Sequence, residues 1–349
     1  MSDKDDTLEG VTENLIANMA KSPRTKREPE GALVEEPESE GASKNEFSRE
    51  IERTLKSTEN ELLGLIKSDR SPSVQTTWQV ARTVVEKFQP VPWFIWRLSN
   101  FVLGKPAKIG KVTEGLVLGL RRLLFAAASD ETLGKGGKVN QIRNALTVLP
   151  SDVIAAVAVM HSICRRMSQA HFERIWRPLL DDAIVRSKIG YFVGRECEEF
   201  GPGRGILAGF SGRAGLVVQM NFGESAQAKS ALDSLAGGAQ IREVGLKFYD
   251  CEPLQVSAML LSACGCGRDA AFGVVRYAAS AAEHTVENQE QQRWLAAFTI
   301  VEHMRVGKSV DIAEECWIAL GFDSRAKRDG LVDATKKILR KGHEWNWLV

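Results

Sequence analysis

The chain has 349 residues, 44% of them hydrophobic and 26% charged, with a formal net charge of +1. That is enough chain for one large domain or two small ones, and the composition is that of an ordinary globular protein. The charge is uneven: residues 1–45 hold 11 Asp/Glu against 6 Lys/Arg, leaving 40 basic against 34 acidic in the rest. So mild an excess gives no electrostatic footprint for nucleic acid, and no nucleic-acid partner is expected.

Residues 1–45 are rich in Glu, Pro, Ser, Lys and Gly and almost free of aromatic residues. Such a segment buries too little apolar area to offset the entropy of ordering it, so a disordered acidic tail is expected. Its start, MSDKDDTLEG, lacks the apolar core of a signal peptide. Arg121-Arg122 break the best candidate for a membrane-spanning run, and Arg213 breaks another. Six cysteines without a CxxC pair or zinc spacing read as buried free thiols. A reduced, cytoplasmic chain with no membrane contact is the expectation.

Order is expected from Phe47, where Phe47, Ile51 and Leu55 recur at four-residue steps. Thr58 and Glu61 fit a capping box for a following turn. A second amphipathic run carries Trp78, Ala81, Val85 and Phe88. After Pro90 and Pro92 a third carries Trp93, Trp96 and Phe101. These tryptophans are interleaved with apolar residues and not with Lys/Arg, which fits a core and not a base-stacking platform. Helices follow over Leu116–Ser129 and from Val139 to Leu149, the latter stopped by Pro150. Ser151 or Asp152 is placed to cap the next, whose stripe is Val153, Val157, Met160, Cys164 and Met167.

From Phe172 to Val218 the pattern is a helix, a glycine-rich turn, and a small-residue segment that must pack very closely. Further helices are expected at Ala226–Leu235, Glu252–Cys264, Asp269–Glu283, Gln289–Arg305, Val310–Leu320 and Arg325–Arg340, with Gly237-Gly238, Gly265 and Gly321 as helix-closing residues. Leu216–Phe222 and Ile241–Phe248 have the alternation of strands but are too few for a sheet. The expected fold is all-α, in two packed helical sub-bundles over residues 46–150 and 151–349.

Convergent polar groups are scarce. His161, His171, His284, His303 and His343 make no HxxxH, HExxH or His-Asp pair, so neither a metal nor a catalytic residue is assigned. No GxSxG motif exists, and GKGGK at 134–138 lacks the Walker spacing. Asp181-Asp182 with Glu196, Glu198 and Glu199 form an acidic patch. Neighbours on a helix point about 100° apart, so Asp181 and Asp182 cannot clamp one ion, and a solvated face is expected. The GPGRGILAG turn departs from the G-x-G-x-x-G order of a dinucleotide loop. Arg204 and Arg213, with the turn amides, are the candidates for binding an anion or phosphate group.

Residues 208–215, Ala-Gly-Phe-Ser-Gly-Arg-Ala-Gly, resemble the Ala-Gly-apolar-apolar-His-Asp-x-Gly pattern of the HDOD family, the HD-related output domain of bacterial signalling proteins. The His-Asp pair is replaced by Gly212-Arg213. Further stretches resemble the family in the same order: Val91-Pro92 with Trp93–Leu103, then Leu123, Leu124, Ala127 and Ser129. After them come Val139, Ile142, Ala145, Leu146 and Leu149, then Trp176 and Ala183, then Pro253–Gly267. The likeness covers most of residues 90–320. Its departures fall on ligand positions, with Pro178 and Pro253 where histidines are found. The resemblance implies an HD-superfamily-like bundle that has lost its metal ligands, binds no cofactor, and is non-catalytic. It would act through contacts with signalling proteins; the alternatives are a nucleotide or phosphate sensor in the vestigial pocket, or a residual metal-dependent phosphohydrolase.

Overall fold

The three-to-four-residue apolar period folds into fifteen α-helices, with no strand among the described residues. The structure, a computed structural model, describes residues 38–65, 72–104, 117–134, 136–168, 173–277, 286–342 and 344–348. The expected tail up to residue 37, together with His171, His284 and His343, lies outside the described residues.

Helix α1 (Glu38–Leu65) starts eight residues earlier than expected. It seats Ile51, Leu55 and Leu62 in the core. The expected capping box within it does not form. Thr58 is mid-helix, its hydroxyl 2.9 Å from the Thr54 carbonyl and 2.7 Å from Ser262 Oγ, while Glu61 pairs with Arg268 at 2.7 Å. Helices α2 (Pro72–Phe88) and α3 (Trp93–Val102) bury Trp78, Ala81, Val85, Phe88 and Trp96 of the predicted stripe, while Trp93 and Phe101 are half-buried against the core. Two short helices follow, α4 (Arg121–Ser129) and α5 (Ile142–Val148).

Helix α6 (Ser151–Ser168) is buried on almost every side. Helices α7 (Glu173–Arg195) and α8 (Pro202–Phe222) are the pair read from the glycine-rich stretch. Then come α9 (Ser225–Ala236), α10 (Ile241–Tyr249), α11 (Pro253–Ala263) and α12 (Arg268–Val275). The chain finishes with α13 (Gln289–Arg305), α14 (Glu314–Ala319) and α15 (Arg325–Lys341). Beyond them Trp345 and Leu348 fold back into the core, where the Leu348 carbonyl lies 2.9 Å from His161 Nδ1. One continuous apolar cluster runs from Ile51 to Leu348.

Both strand-like runs are helical. Leu216–Phe222 ends α8, a core helix whose continuous apolar run mimics a buried strand. Ile241–Phe248 lies in α10, set by a Gln240–Glu243 capping box at one end and by Asp250, at φ 57°, at the other. Of the expected closing glycines, Gly238, Gly265 and Gly321 adopt left-handed backbone, with φ of 93°, 79° and 76°, while Gly237 closes α9 at φ −76°. Among the described residues no single helix is long and apolar enough to cross a membrane. α5 and α6 together have the composition, but they bend by 109° and α6 is core.

α8 is the axis of the fold. From Gly203 to Met220 every residue except Arg213 is buried. It packs against α7 most extensively, and also against α6, α11 and α13. Several glycines make a poor helix in isolation, at about 1 kcal/mol each relative to Ala. Here they permit backbone contact: a methyl group on Gly190 would overlap the Gly205 carbonyl, and one on Gly205 would overlap the Gly190 carbonyl.

Gly205→Ala is therefore expected to destabilise the chain by about 3 kcal/mol or more, because neither backbone can move aside. Gly64→Ala on exposed α1, with nothing within 4 Å of the new methyl, is expected to stabilise by about 0.5–1 kcal/mol. Urea unfolding midpoints of both variants check the pair.

Candidate functional site

The glycine contacts draw α7 and α8 together until polar groups from three helices meet at one buried junction. From α7 come Asp182 and Arg186, from α8 Arg213, and from α13 Glu302 and Arg305. Arg186 is only 2% exposed; its Nε is 2.8 Å from Asp182 Oδ2 and its Nη1 donates to Glu302 Oε1. Arg213 places Nε 2.9 Å from the same Asp182 oxygen and Nη1 3.6 Å from Glu302 Oε2. Arg305 donates from Nε to Asp182 Oδ1 at 2.7 Å. Asp182 thus receives three guanidinium groups. Burial pushes its pKa up, but Arg186, Arg213 and Arg305 outweigh it and hold the carboxyl below its ordinary value. Burial and the neighbouring Arg186 lower the pKa of Arg213.

Of the two predicted candidates, Arg213 belongs to this junction and Arg204 does not. Arg204 is 1% exposed, with Nε 3.1 Å from Glu290 Oε1 and Nη1 donating to the Phe200 carbonyl at 3.0 Å. Burial raises the Glu290 pKa against the opposing pull of Arg204 and Arg293. The turn amides are also engaged. Asp152, in the first turn of α6, accepts a hydrogen bond from Gly203 N at 2.6 Å and so occupies the anion position at the start of α8. The sequence placed Asp152 as a cap for its own helix; it reaches a different one.

The acidic patch divides. Asp181 pairs with Arg177 at 2.9 Å and is half-exposed, Glu198 is exposed, and Glu199 pairs with Arg293. Asp182, one step further round α7, is the centre of the junction and not part of a solvated face. Sequence reasoning also missed Arg186, Glu302 and Arg305. Their signal was present: Arg186 lies four residues after Asp182 and directly follows Ile184-Val185, and Glu302 follows Ile300-Val301. A charge set in an apolar run needs a partner.

A divalent metal does not fit this junction. Gly212 and Arg213 offer no ligand, and a cationic guanidinium already sits on both carboxylates. No group of three or more His, Cys, Asp or Glu among the described residues could hold a metal ion. The cysteines are free, five of them buried. Burial pushes the thiols of Cys164, Cys251 and Cys266 up to about 12, leaving them unreactive.

No protein-family profile matches this chain, and no curated protein does. Two solved structures resemble it. One is titled "Putative phosphohydrolase" and comes from Shewanella amazonensis SB2B, with a TM-score of 0.50 and 15% identity, covering 80% of this chain and 98% of that one. The other, titled "Putative signal transduction protein", comes from Marinobacter aquaeolei VT8. Its TM-score is 0.49 at 13% identity, and the match covers 83% of this chain and 65% of that one. At such identities the first likeness establishes a shared helical fold.

Asp182 links the junction to pH. Its folded-state pKa is lowered, so its contribution is complete above the unfolded value of about 3.9 and is lost as pH falls through the lowered one. Asp182→Asn is expected to destabilise the chain by about 3 kcal/mol at neutral pH, since it leaves the buried Arg186 and half-buried Arg213 with Glu302 alone and Arg305 without its carboxylate. The loss shrinks as pH falls below about 4. Urea titrations at neutral and acid pH measure both effects.

Proposed function

We propose that this chain is a degenerate relative of the HDOD domains and works as a non-catalytic regulatory protein, through contacts with signalling proteins. One observation carries the reading. Arg213 stands where the family pattern has an acid, and its guanidinium rests on Asp182 and Glu302. A guanidinium supplies positive charge and hydrogen bonds, but it has no open coordination position from which to lower the pKa of a bound water. The junction would then keep the architecture of a metal centre as a three-helix clamp. The fold shared with a protein titled a phosphohydrolase is compatible with this reading, because folds outlive the chemistry carried on them.

Metal analysis tests it. After growth with added manganese and iron, the purified chain is expected to hold far less than one metal ion per molecule and to leave phosphate esters intact. Stoichiometric metal that Glu302→Gln removes would overturn the reading.

A further inference from the structure

The junction holds more positive charge than its carboxylates cancel. Three guanidinium groups, from Arg186, Arg213 and Arg305, face the two carboxylates of Asp182 and Glu302, an excess of one positive charge among the described residues. Beside the buried Arg186 and the half-buried Arg213 an unbalanced charge is costly unless something compensates it.

The hydrogen bonds lead to the same place. Each guanidinium carries five N–H donors. Arg186 uses Nε on Asp182 and Nη1 on Glu302. Arg213 uses Nε on Asp182 and Nη1 on the Gly212 carbonyl at 2.8 Å. Arg305 uses only Nε, on Asp182. Among the described residues the Nη2 groups of Arg186 and Arg213 and both Nη groups of Arg305 meet no acceptor. Exposure rises in order, from 2% at Arg186 to 15% at Arg213 and 35% at Arg305. The free donors therefore run from the interior at Arg186 to the solvent-facing side chain of Arg305.

We propose that this junction binds a small oxyanion, either inorganic phosphate or the phosphoryl end of a phosphate monoester, between Arg213 and Arg305. The oxygens of such a group accept paired N–H bonds from guanidinium, and its charge cancels the excess. An anion there also counters the burial and the repulsion from Arg186 that lower the Arg213 pKa. The proposal rests on the reading that arginine has taken the place of a metal, and it does not depend on the signalling role.

Isothermal titration of the full chain with sodium phosphate, and separately with adenosine monophosphate, tests it at fixed ionic strength in chloride buffer with EDTA. One site per chain is expected. Tighter binding of the monophosphate would identify a monoester as the ligand, and equal or weaker binding would identify phosphate itself. Arg305→Gln is expected to weaken binding by roughly tenfold or more, since it removes charge-assisted bonds. Arg305→Lys should restore part of it, and Arg195→Gln, an exposed arginine outside the junction, should change nothing. No phosphate binding in metal-free protein, or binding that Arg305→Gln leaves unchanged, would overturn the proposal alone. Binding seen only without EDTA, together with bound metal, would overturn the metal-free reading on which it rests.

Discussion

Backbone-to-backbone contact between α7 and α8 is the constraint on which the rest of this structure depends. Gly190 and Gly205 bring the two helices closer than side chains allow, and α8 then runs through the protein interior with neighbours on every side. Its sequence, poor in helix propensity, is tolerated because tertiary packing outweighs local preference. The same closeness has an electrostatic consequence. Arg213, the one residue of α8 between Gly203 and Met220 that is not fully buried, cannot turn away from α7 and α13 and must be met there by carboxylates.

Charges enclosed in this way are weak evidence for net stability, since desolvation can cancel the attraction. They are better evidence for specificity. Asp182 takes one guanidinium from each of three helices and so sets the register of α7, α8 and α13 together. At the start of α8, Asp152 holds the first turn from α6 while Arg204 reaches Glu290 on α13. The first turn and the middle of the central helix are thus tied to its neighbours by charge, and the close packing at Gly205 and Gly209 lies between them.

Much of this was legible in the sequence, for identifiable reasons. Helix periods, the limits of α13 and the left-handed glycines at 238, 265 and 321 follow from local rules, and local rules decided those places. The strand-like runs misled because a continuous apolar run has no period by which to tell a core helix from a buried strand. Thr58 and Glu61 have the composition of a capping box, but each found a partner on a distant helix, Ser262 and Arg268. Asp181 and Asp182 are indistinguishable as letters. One helical step sends the first to Arg177 at the surface and the second into the junction. Arg204 and Arg213 stood out as arginines in a small-residue segment, yet which of them joins other arginines depends on α13, more than eighty residues further along the chain.

Arg213 and Asp182 form one energetic unit where α7, α8 and α13 meet. A double-mutant cycle measures this directly, using urea unfolding of Asp182→Asn, Arg213→Met and the double variant at neutral pH. Coupling between the two sites of at least about 1 kcal/mol is the predicted result, because the two side chains form a direct ion pair within one charge network. Additive losses, within about 0.3–0.5 kcal/mol, would contradict the account.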